Sequence, residues 1–307
     1  MKYFIITVDT EGDNLWSYHK GDRISTENTL YIPRFQELCE KYNYKPVWLS
    51  NFEMVNDERY VEYIKQKSLL GLCEVGIHIH AWNNPPLYEL NGDFDGNPYL
   101  IEYPYSIMRS KFKETYDLIC KKIGKAPVSH RAGRWAMNSD YFKLLKEFGV
   151  LVDCSYTPLV SWSNNRGETI SGGSDYTKCL PKAHMIDEIL EVPMSIIKIH
   201  NYKGQALMHR LKSFLKGKTI WLRPAICDID EMKRVVDVYS QKSDYVEFMI
   251  HSSELMPGGS PYFISEQEVE DEYFKIESIF KYAEEKGFKG ITLEQYYKMK
   301  LEENENR

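Results

Sequence analysis

Short apolar runs alternate with longer amphipathic segments along most of the chain. The first run, YFIITVD at 3–9, is rich in apolar and β-branched residues and ends at an acid, which predicts a strand. Apolar residues at helical spacing follow at 29–43. The same two patterns recur, predicting strands at 45–51, 72–80, 127–133, 150–156, 189–196, 219–225 and 245–253, and helices at 58–71, 105–124, 139–149, near 203–217, 230–242 and 265–287.

This alternation predicts an α/β fold with a parallel sheet, most simply closed as a single (β/α) barrel. A doubly wound open sheet is the alternative. It is less favoured because TEGDN, which follows the first strand, is not a glycine-rich phosphate-binding loop. No repeat or linker-like break interrupts the pattern, so we expect one domain over 1–307.

The composition narrows the classes of partner and the cellular compartment. A net charge of −6 and the lack of a strong basic patch argue against a nucleic-acid surface. The sequence has no apolar run of about 18 residues, so we expect no integral membrane segment. The N-terminus lacks the pattern of a secretory signal. The six cysteines stand singly, as is typical of reduced thiols. We therefore expect a cytoplasmic protein.

Polar residues gather where the predicted strands end, and in a barrel those ends share one rim. They are Asp9 and Glu11 after the first strand, His78 and His80 after the third, Arg131 and Asp153 on the next two, and His251 near the end. Each has a structural explanation of its own, such as a helix cap, a turn or a charge pair. Two histidines on one face of a strand are harder to explain, because they need hydrogen-bond partners or a cation.

Taken together, these residues indicate metal-assisted hydrolysis. A carboxylate and two imidazoles form a ligand set with open coordination that suits zinc or another divalent transition ion. A further acid and a separate histidine would then supply the base and the acid.

In order and spacing, TVDTEGD, EVGIHIHAW, HRAGRW, VDCSY and FMIHSSEL resemble the NodB-homology polysaccharide deacetylases of carbohydrate esterase family 4. The resemblance runs from residue 3 to about 297 and is greatest for the branch associated with bacterial surface-polysaccharide biosynthesis. It implies a distorted (β/α)7 barrel, a divalent metal that is usually zinc, and an N-acetylated sugar in a glycan or glycan precursor as the substrate.

The resemblance also implies individual roles. Asp9 would be the base and Arg131 would orient it, while Glu11, His78 and His80 would bind the metal. His251 would be the acid, tuned by Asp153. A backbone N–H near Arg134 would face the oxyanion and place Arg134 at the substrate. Apart from the resemblance, Trp82 and Trp135 lie in predicted rim loops, where their rings could stack on a sugar.

Three departures from the family pattern leave parts of this assignment open. Thr10 separates two acids that are usually adjacent, so Asp9 and Glu11 could exchange roles. The usual second histidine lies four residues after the first, where this chain has Trp82, so His80 is the candidate. Gly133 replaces a proline. Two other functions remain possible: a catalytically silent barrel that binds a glycan or a partner, and a metal hydrolase of a different amide.

Overall fold

The computed structural model describes residues 1–19, 21–93, 96–170, 172–200 and 217–305. Its strands, in chain order, are β1 Lys2–Thr10, β2 Pro46–Ser50, β3 Glu74–Ile79, β4 Ser129–Ala132, β5 Val152–Asp153, β6 His184–Ile186, β7 Ile189–Glu191, β8 Ile196–Ile199, β9 Lys218–Trp221, β10 Tyr245–His251 and β11 Phe288–Gly290. The α-helices in these ranges are Ile32–Lys41, Phe52–Asn56, Glu58–Leu69, Tyr105–Ile123, Ser139–Glu147, Ile229–Lys242, Glu266–Glu285 and Leu293–Glu305.

Seven parallel strands form one curled sheet in the order β10-β1-β2-β3-β4-β5-β7, and β6 adds an antiparallel edge. β11 pairs with the first residues of β1. The sheet is a half-barrel, so the predicted α/β fold with a distorted barrel is confirmed. Parallel strands need crossover connections, which explains why helices separate most of them.

Side chains alternate between the two faces of this sheet. On the convex face, Phe4, Ile6 and Val8 belong to a large cluster that includes buried helix residues such as Phe35 and Ile276. On the concave face, a smaller apolar cluster fills the N-terminal end: Ile5, Val47, Leu49, Val152, Cys154, Leu190, Val192, Tyr245, Ile291, Leu293 and Tyr296. The concave positions nearer the carboxyl ends of the strands are polar, and they form the site described below.

The predicted strand at 189–196 is divided in the structure, because Pro193 has no N–H to continue a ladder. The following residues cross the opening between β7 and β10. Leu222 N donates to Ser195 O at 3.2 Å, and Met249 N donates to Leu222 O at 3.2 Å. These bonds close part of the barrel wall without a continuous strand.

The prediction for 219–225 is also only partly right. β9 covers Lys218–Trp221 and pairs antiparallel with β8, outside the main sheet. A residue pattern alone does not reveal which neighbour a short strand chooses, because local patterning leaves the pairing partner open. The helix expected near 203–217 lies almost wholly outside the described residues. No helix in the described ranges is long and apolar enough to cross a bilayer.

Gly76 sets how closely β2, β3 and β4 approach below the site. A Cβ added there would meet Leu49 Cδ2 at 2.6 Å and the Ser129 carbonyl oxygen at 2.8 Å. Gly76→Ala should therefore lower the free energy of unfolding by about 1–3 kcal/mol through overpacking. Chemical denaturation measures this value. Gln66→Ala, at an exposed helix position, is the control and should change it by less than about 0.5 kcal/mol; equal effects of the two would contradict the prediction.

Candidate metal centre and active site

Two acids at the end of β1 face the same side of the sheet. Asp9 and Glu11 are two residues apart, so the pleat directs both carboxylates to the concave face, while Thr10 between them turns back to bond the Val8 carbonyl. The same spacing aligns His78 and His80 from β3. The separation of the acids by Thr10, which departs from the family pattern, therefore keeps both carboxylates in one site.

Glu11, His78 and His80 converge on one point. His80 Nε2 lies 2.5 Å from Glu11 Oε2 and 3.1 Å from His78 Nε2, and His78 Nε2 lies 3.6 Å from the same carboxylate oxygen. In the described residues these three form the one group of His, Cys, Asp and Glu side chains close enough to hold a metal ion. All three are buried.

The surroundings of the histidines fit a metal. His78 Nδ1 donates to the Arg131 carbonyl oxygen at 2.8 Å, which leaves the Nε2 lone pair directed at the cluster. A backbone carbonyl behind the far ring nitrogen is a common support for a ligating histidine. Without a cation, two imidazole nitrogens 3.1 Å apart have only one another and Glu11 as partners. With one imidazole from each histidine and one carboxylate, the donor set suits zinc and related divalent ions.

Burial and charge interactions shift the pKa values of all three members of this group. Burial alone would raise the pKa of Glu11, but His80 and the hydrogen bonds from both histidines hold it well below its usual range. Burial lowers the pKa of His80. For His78, burial is outweighed by Asp9 and Glu11, and its pKa is raised. An ionised carboxylate lies beside an imidazole that favours its neutral form.

Asp9 is not one of the three candidate metal ligands, and Arg131 holds it. Arg131 Nη1 donates to Asp9 Oδ1 at 2.6 Å, and the guanidinium is fully buried. Its other nitrogens reach the Cys154 carbonyl at 3.1 Å, Thr7 Oγ1 at 2.7 Å and Glu247. Burial would raise the pKa of Asp9, yet Arg131 and the nearby histidines lower it overall. The Asp9 carboxylate is therefore ionised, with Oδ2 directed toward the site.

His251 lies on the other side of Asp9. Its Nε2 is 3.8 Å from Asp9 Oδ2 and 3.9 Å from Glu11 Oε1, because β1 and β10 pair Asp9 with His251 in register. On the far side of the ring, Nδ1 lies 3.1 Å from Arg223 Nη2 and 3.2 Å from Glu254 Oε1. Nδ1 therefore lies between a guanidinium, which can only donate a hydrogen bond, and a carboxylate, which can only accept one.

The expected tuning of His251 by Asp153 needs correction. Asp153 lies on the convex face, where Oδ1 is 2.7 Å from His130 Nδ1 and accepts from Ser155 Oγ at 2.7 Å. The reason is the pleat, which points His130 and Arg131 to opposite faces and pairs Asp153 with His130. Glu254 holds the place that sequence reasoning gave to Asp153. Burial would raise its pKa, but Arg223 and His251 lower it to about 2.

The site opens into a cavity of about 340 Å³. The three residues expected to contact substrate, Trp82, Arg134 and Trp135, all line it, together with Trp16, Trp162 and Tyr262. The Trp82 ring lies 4.4 Å from the His80 ring, centroid to centroid. Aromatic faces beside a polar floor suit a molecule with an apolar and a polar side.

Several supporting residues were missed by sequence reasoning. Glu11 N donates to Ser252 Oγ at 3.1 Å, and Asn28 Nδ2 donates to the Glu11 carbonyl at 2.7 Å, so the backbone of this candidate ligand is fixed from two loops. Arg223 was also not among the predicted site residues. Its position at the end of a predicted strand was a usable signal, whereas nothing in the sequence near Asn28 indicates contact with Glu11.

We compared the chain with known protein families, curated proteins and solved structures. No protein-family model and no curated protein matches the chain. Among solved structures, the 4-alpha-glucanotransferase of Thermococcus litoralis is similar at 12% identity and a TM-score of 0.51, over 98% of this chain and 38% of that one. At this identity the likeness shows a shared fold alone.

Two further solved structures align at lower TM-scores. One is a family 4 acetyl xylan esterase from Clostridium thermocellum in complex with a cobalt ion, with 14% identity, a TM-score of 0.46 and coverage of 97% of this chain and 92% of that one. The other is a peptidoglycan deacetylase from Bacillus subtilis, with 13% identity, a TM-score of 0.46 and coverage of 100% and 96%.

Removing either histidine should abolish tight zinc binding. With two ligands left, we expect His78→Ala and His80→Ala each to weaken affinity at least about 100-fold, since even residues that only support a ligand contribute about 10–100-fold. Calorimetric titration of the metal-free protein with zinc measures this. His19→Ala is the control, because the His19 side chain is 87% exposed and pairs with Asp22, not with a member of the cluster. Unchanged affinity in both cluster variants would refute a metal centre here.

Glu247 should make stability depend on pH. Burial raises its pKa to about 7 although Arg131 opposes the shift. The folded protein thus binds a proton that the unfolded chain releases near its ordinary pKa, so this group's contribution is present at low pH and lost as pH rises through about 7. Glu247→Gln should become more stable relative to the unchanged protein between pH 5 and 8. Urea unfolding across that range measures the difference, and a constant difference would contradict the assignment.

Proposed function

We propose that this protein is a metal-dependent hydrolase that removes the N-acetyl group from a sugar in a glycan or glycan precursor. It would then be a member of carbohydrate esterase family 4. The observation that carries the proposal is the joint placement of a candidate ligand group, an arginine-held carboxylate and a separate histidine in one cavity. A binding protein has no need of this combination.

Asp9 is suited to act as the general base. Its Oδ1 is occupied by Arg131, which leaves Oδ2 to accept a proton from water. Because the pKa of the carboxyl is lowered, the group is ready to accept without prior deprotonation. Arg131 fixes its orientation, so the water that attacks the acetyl carbonyl carbon would be held on the concave side.

His251 is suited to protonate the leaving amine. Its Nε2 points toward Asp9 Oδ2 and Glu11 Oε1, and Glu254 and Arg223 hold the ring from behind. In its imidazolium form it would give the Nε2 proton to the amide nitrogen after water has added to the carbonyl carbon, so that the C–N bond breaks, acetate and the free amine leave, and the imidazole is left neutral. Asp9 and His251 are paired across the neighbouring strands β1 and β10. The base and the acid would therefore face the same acetamido group of the substrate.

Glu11, His78 and His80 would hold the divalent ion. Held by these three residues, the ion would supply Lewis-acid polarisation of the acetyl carbonyl and a lower pKa for the attacking water. Zinc is our proposed ion, given two imidazoles and one carboxylate. Backbone N–H groups near Arg134 would face the developing oxyanion.

The thiol content favours a reducing compartment. All six cysteines are free thiols, and four of them are buried. In an oxidising compartment, cysteines close enough to pair would be expected to form disulfides. We therefore propose a cytoplasmic site of action on a glycan precursor.

Asp9→Asn should abolish most acetate release while sparing the metal. We expect kcat to fall about 10²–10⁴-fold, the usual contribution of a general base, with zinc affinity changed less than threefold because Asp9 is outside the ligand group. Acetate released from N-acetylhexosamine oligomers measures activity.

Asp117→Asn is the matched control, since Asp117 pairs with Lys113 on an exposed helix face. Full activity of Asp9→Asn would overturn the mechanism. A protein that binds no metal and releases no acetate would instead favour a silent glycan-binding barrel.

A further inference from the structure

Arg134 holds an unusual position in the cavity wall. Both Arg134 and the next residue, Trp135, have left-handed backbone conformations, with φ of 56° and 62°. Side chains other than glycine rarely adopt this region, and such strain concentrates at functional sites. Both side chains line the cavity that contains Asp9 and Glu11. The chain therefore adopts a strained turn at the point where it places a guanidinium in the cavity wall.

The contacts of Arg134 leave its charge without a carboxylate. Its Nη1 donates to the Asn97 carbonyl, and its Nη2 donates to the Arg166 carbonyl at 2.6 Å. The guanidinium carbon lies 3.9 Å from the centre of the Tyr99 ring. These partners orient the group, but backbone carbonyls and an aromatic face are dipoles and a quadrupole, not a counter-charge.

Glu102 is a carboxylate whose charge acts on Arg134, but its oxygens are engaged elsewhere. Glu102 accepts from the backbone N–H groups of Tyr99, Glu168 and Thr169 and from the Thr169 hydroxyl. Within the described ranges, no carboxylate lies within 4.0 Å of Arg134. The half-buried charge is therefore not cancelled by an ion pair.

The two other arginines of the site differ in this respect. Arg131 is bonded to Asp9 and Glu247, and Arg223 lies 2.6 Å from Glu254. Arginine carries five N–H donors, of which the two carbonyl bonds of Arg134 use only two. Arg134 thus combines an uncancelled charge, spare donors and a place in the cavity wall.

We propose that the substrate carries an anionic group, a carboxylate or a phosphate, that binds Arg134. The inference deepens the proposed function and rests on it: the sugar that loses its acetyl group would be a uronic acid or a phosphorylated sugar. Guanidinium matches the geometry of both anions through two parallel N–H bonds. Asn97 and Asn165 line the same cavity and offer amide groups beside it.

The test compares matched neutral and anionic substrates. Acetate release is measured from N-acetylglucosamine oligomers, from an N-acetylhexosaminuronic acid oligomer and from N-acetylglucosamine 1-phosphate. We expect kcat/KM for at least one anionic compound to exceed the neutral value about 10-fold or more. The preferred anion then distinguishes carboxylate from phosphate. Arg134→Gln should reduce this preference at least about 10-fold, and Arg134→Lys should retain part of it because the charge remains.

Arg109→Gln is the control for loss of an arginine, since Arg109 pairs with Glu147 on the surface; it should leave the preference unchanged. Because Arg134 also joins two loops, unfolding temperatures are measured for every variant. Calorimetric binding of glucuronic acid, glucose 1-phosphate and glucose provides a readout that does not need catalysis.

The outcomes separate the two claims. Acetate release without an anionic preference, or with a preference that Arg134→Gln leaves intact, overturns the anion site while the deacetylase function stands. No acetate from any compound counts against the proposed function, and calorimetry then decides the anion site alone. Tighter binding of the anions that is lost in Arg134→Gln supports it, and equal binding of anions and glucose overturns it.

Discussion

The buried guanidinium of Arg131 is the interaction on which the site depends. From β4 it reaches Asp9 and Thr7 on β1, Glu247 on β10 and the backbone of the segment after β5, so a single side chain ties both halves of the curled sheet together. A charge with no solvent exposure is tolerated only when it is paired and hydrogen-bonded. Its own carbonyl also accepts from His78, so the same residue orients the candidate base and one candidate metal ligand.

Neighbours, not residue type, divide the work between the two acids of β1. Asp9 lies against a permanent cation, which favours ionisation and leaves one oxygen free. Glu11 lies against two imidazoles, which release any extra proton when a metal binds. In the same way, Asp153 and Glu254 are both buried acids beside a histidine, yet only Glu254 contacts His251 in the site. Side-chain chemistry in this molecule follows from which face of the sheet a residue occupies.

Much of the architecture was readable from pattern. Apolar runs such as 3–9 and 245–253 predicted β1 and β10 within two residues, because buried parallel strands have a strong and continuous apolar signal. The region between 189 and 225 was harder. Pro193 interrupts the ladder, and β8 and β9 pair with one another, a choice set by packing and not by local preference.

The sequence by itself determined the set of chemical groups and their spacing along the strands. His-x-His and Asp-x-Glu each fix two side chains on one face, because the strand period is two, so the clustering of Glu11, His78 and His80 was predictable. Tertiary structure decided what the period cannot: that Asp153 faces His130, that Arg223 and Glu254 support His251, and that Asn28 secures Glu11. Glu254 is only three positions from His251, but the other contacts join residues more than 15 positions apart, and only the folded protein brings those together.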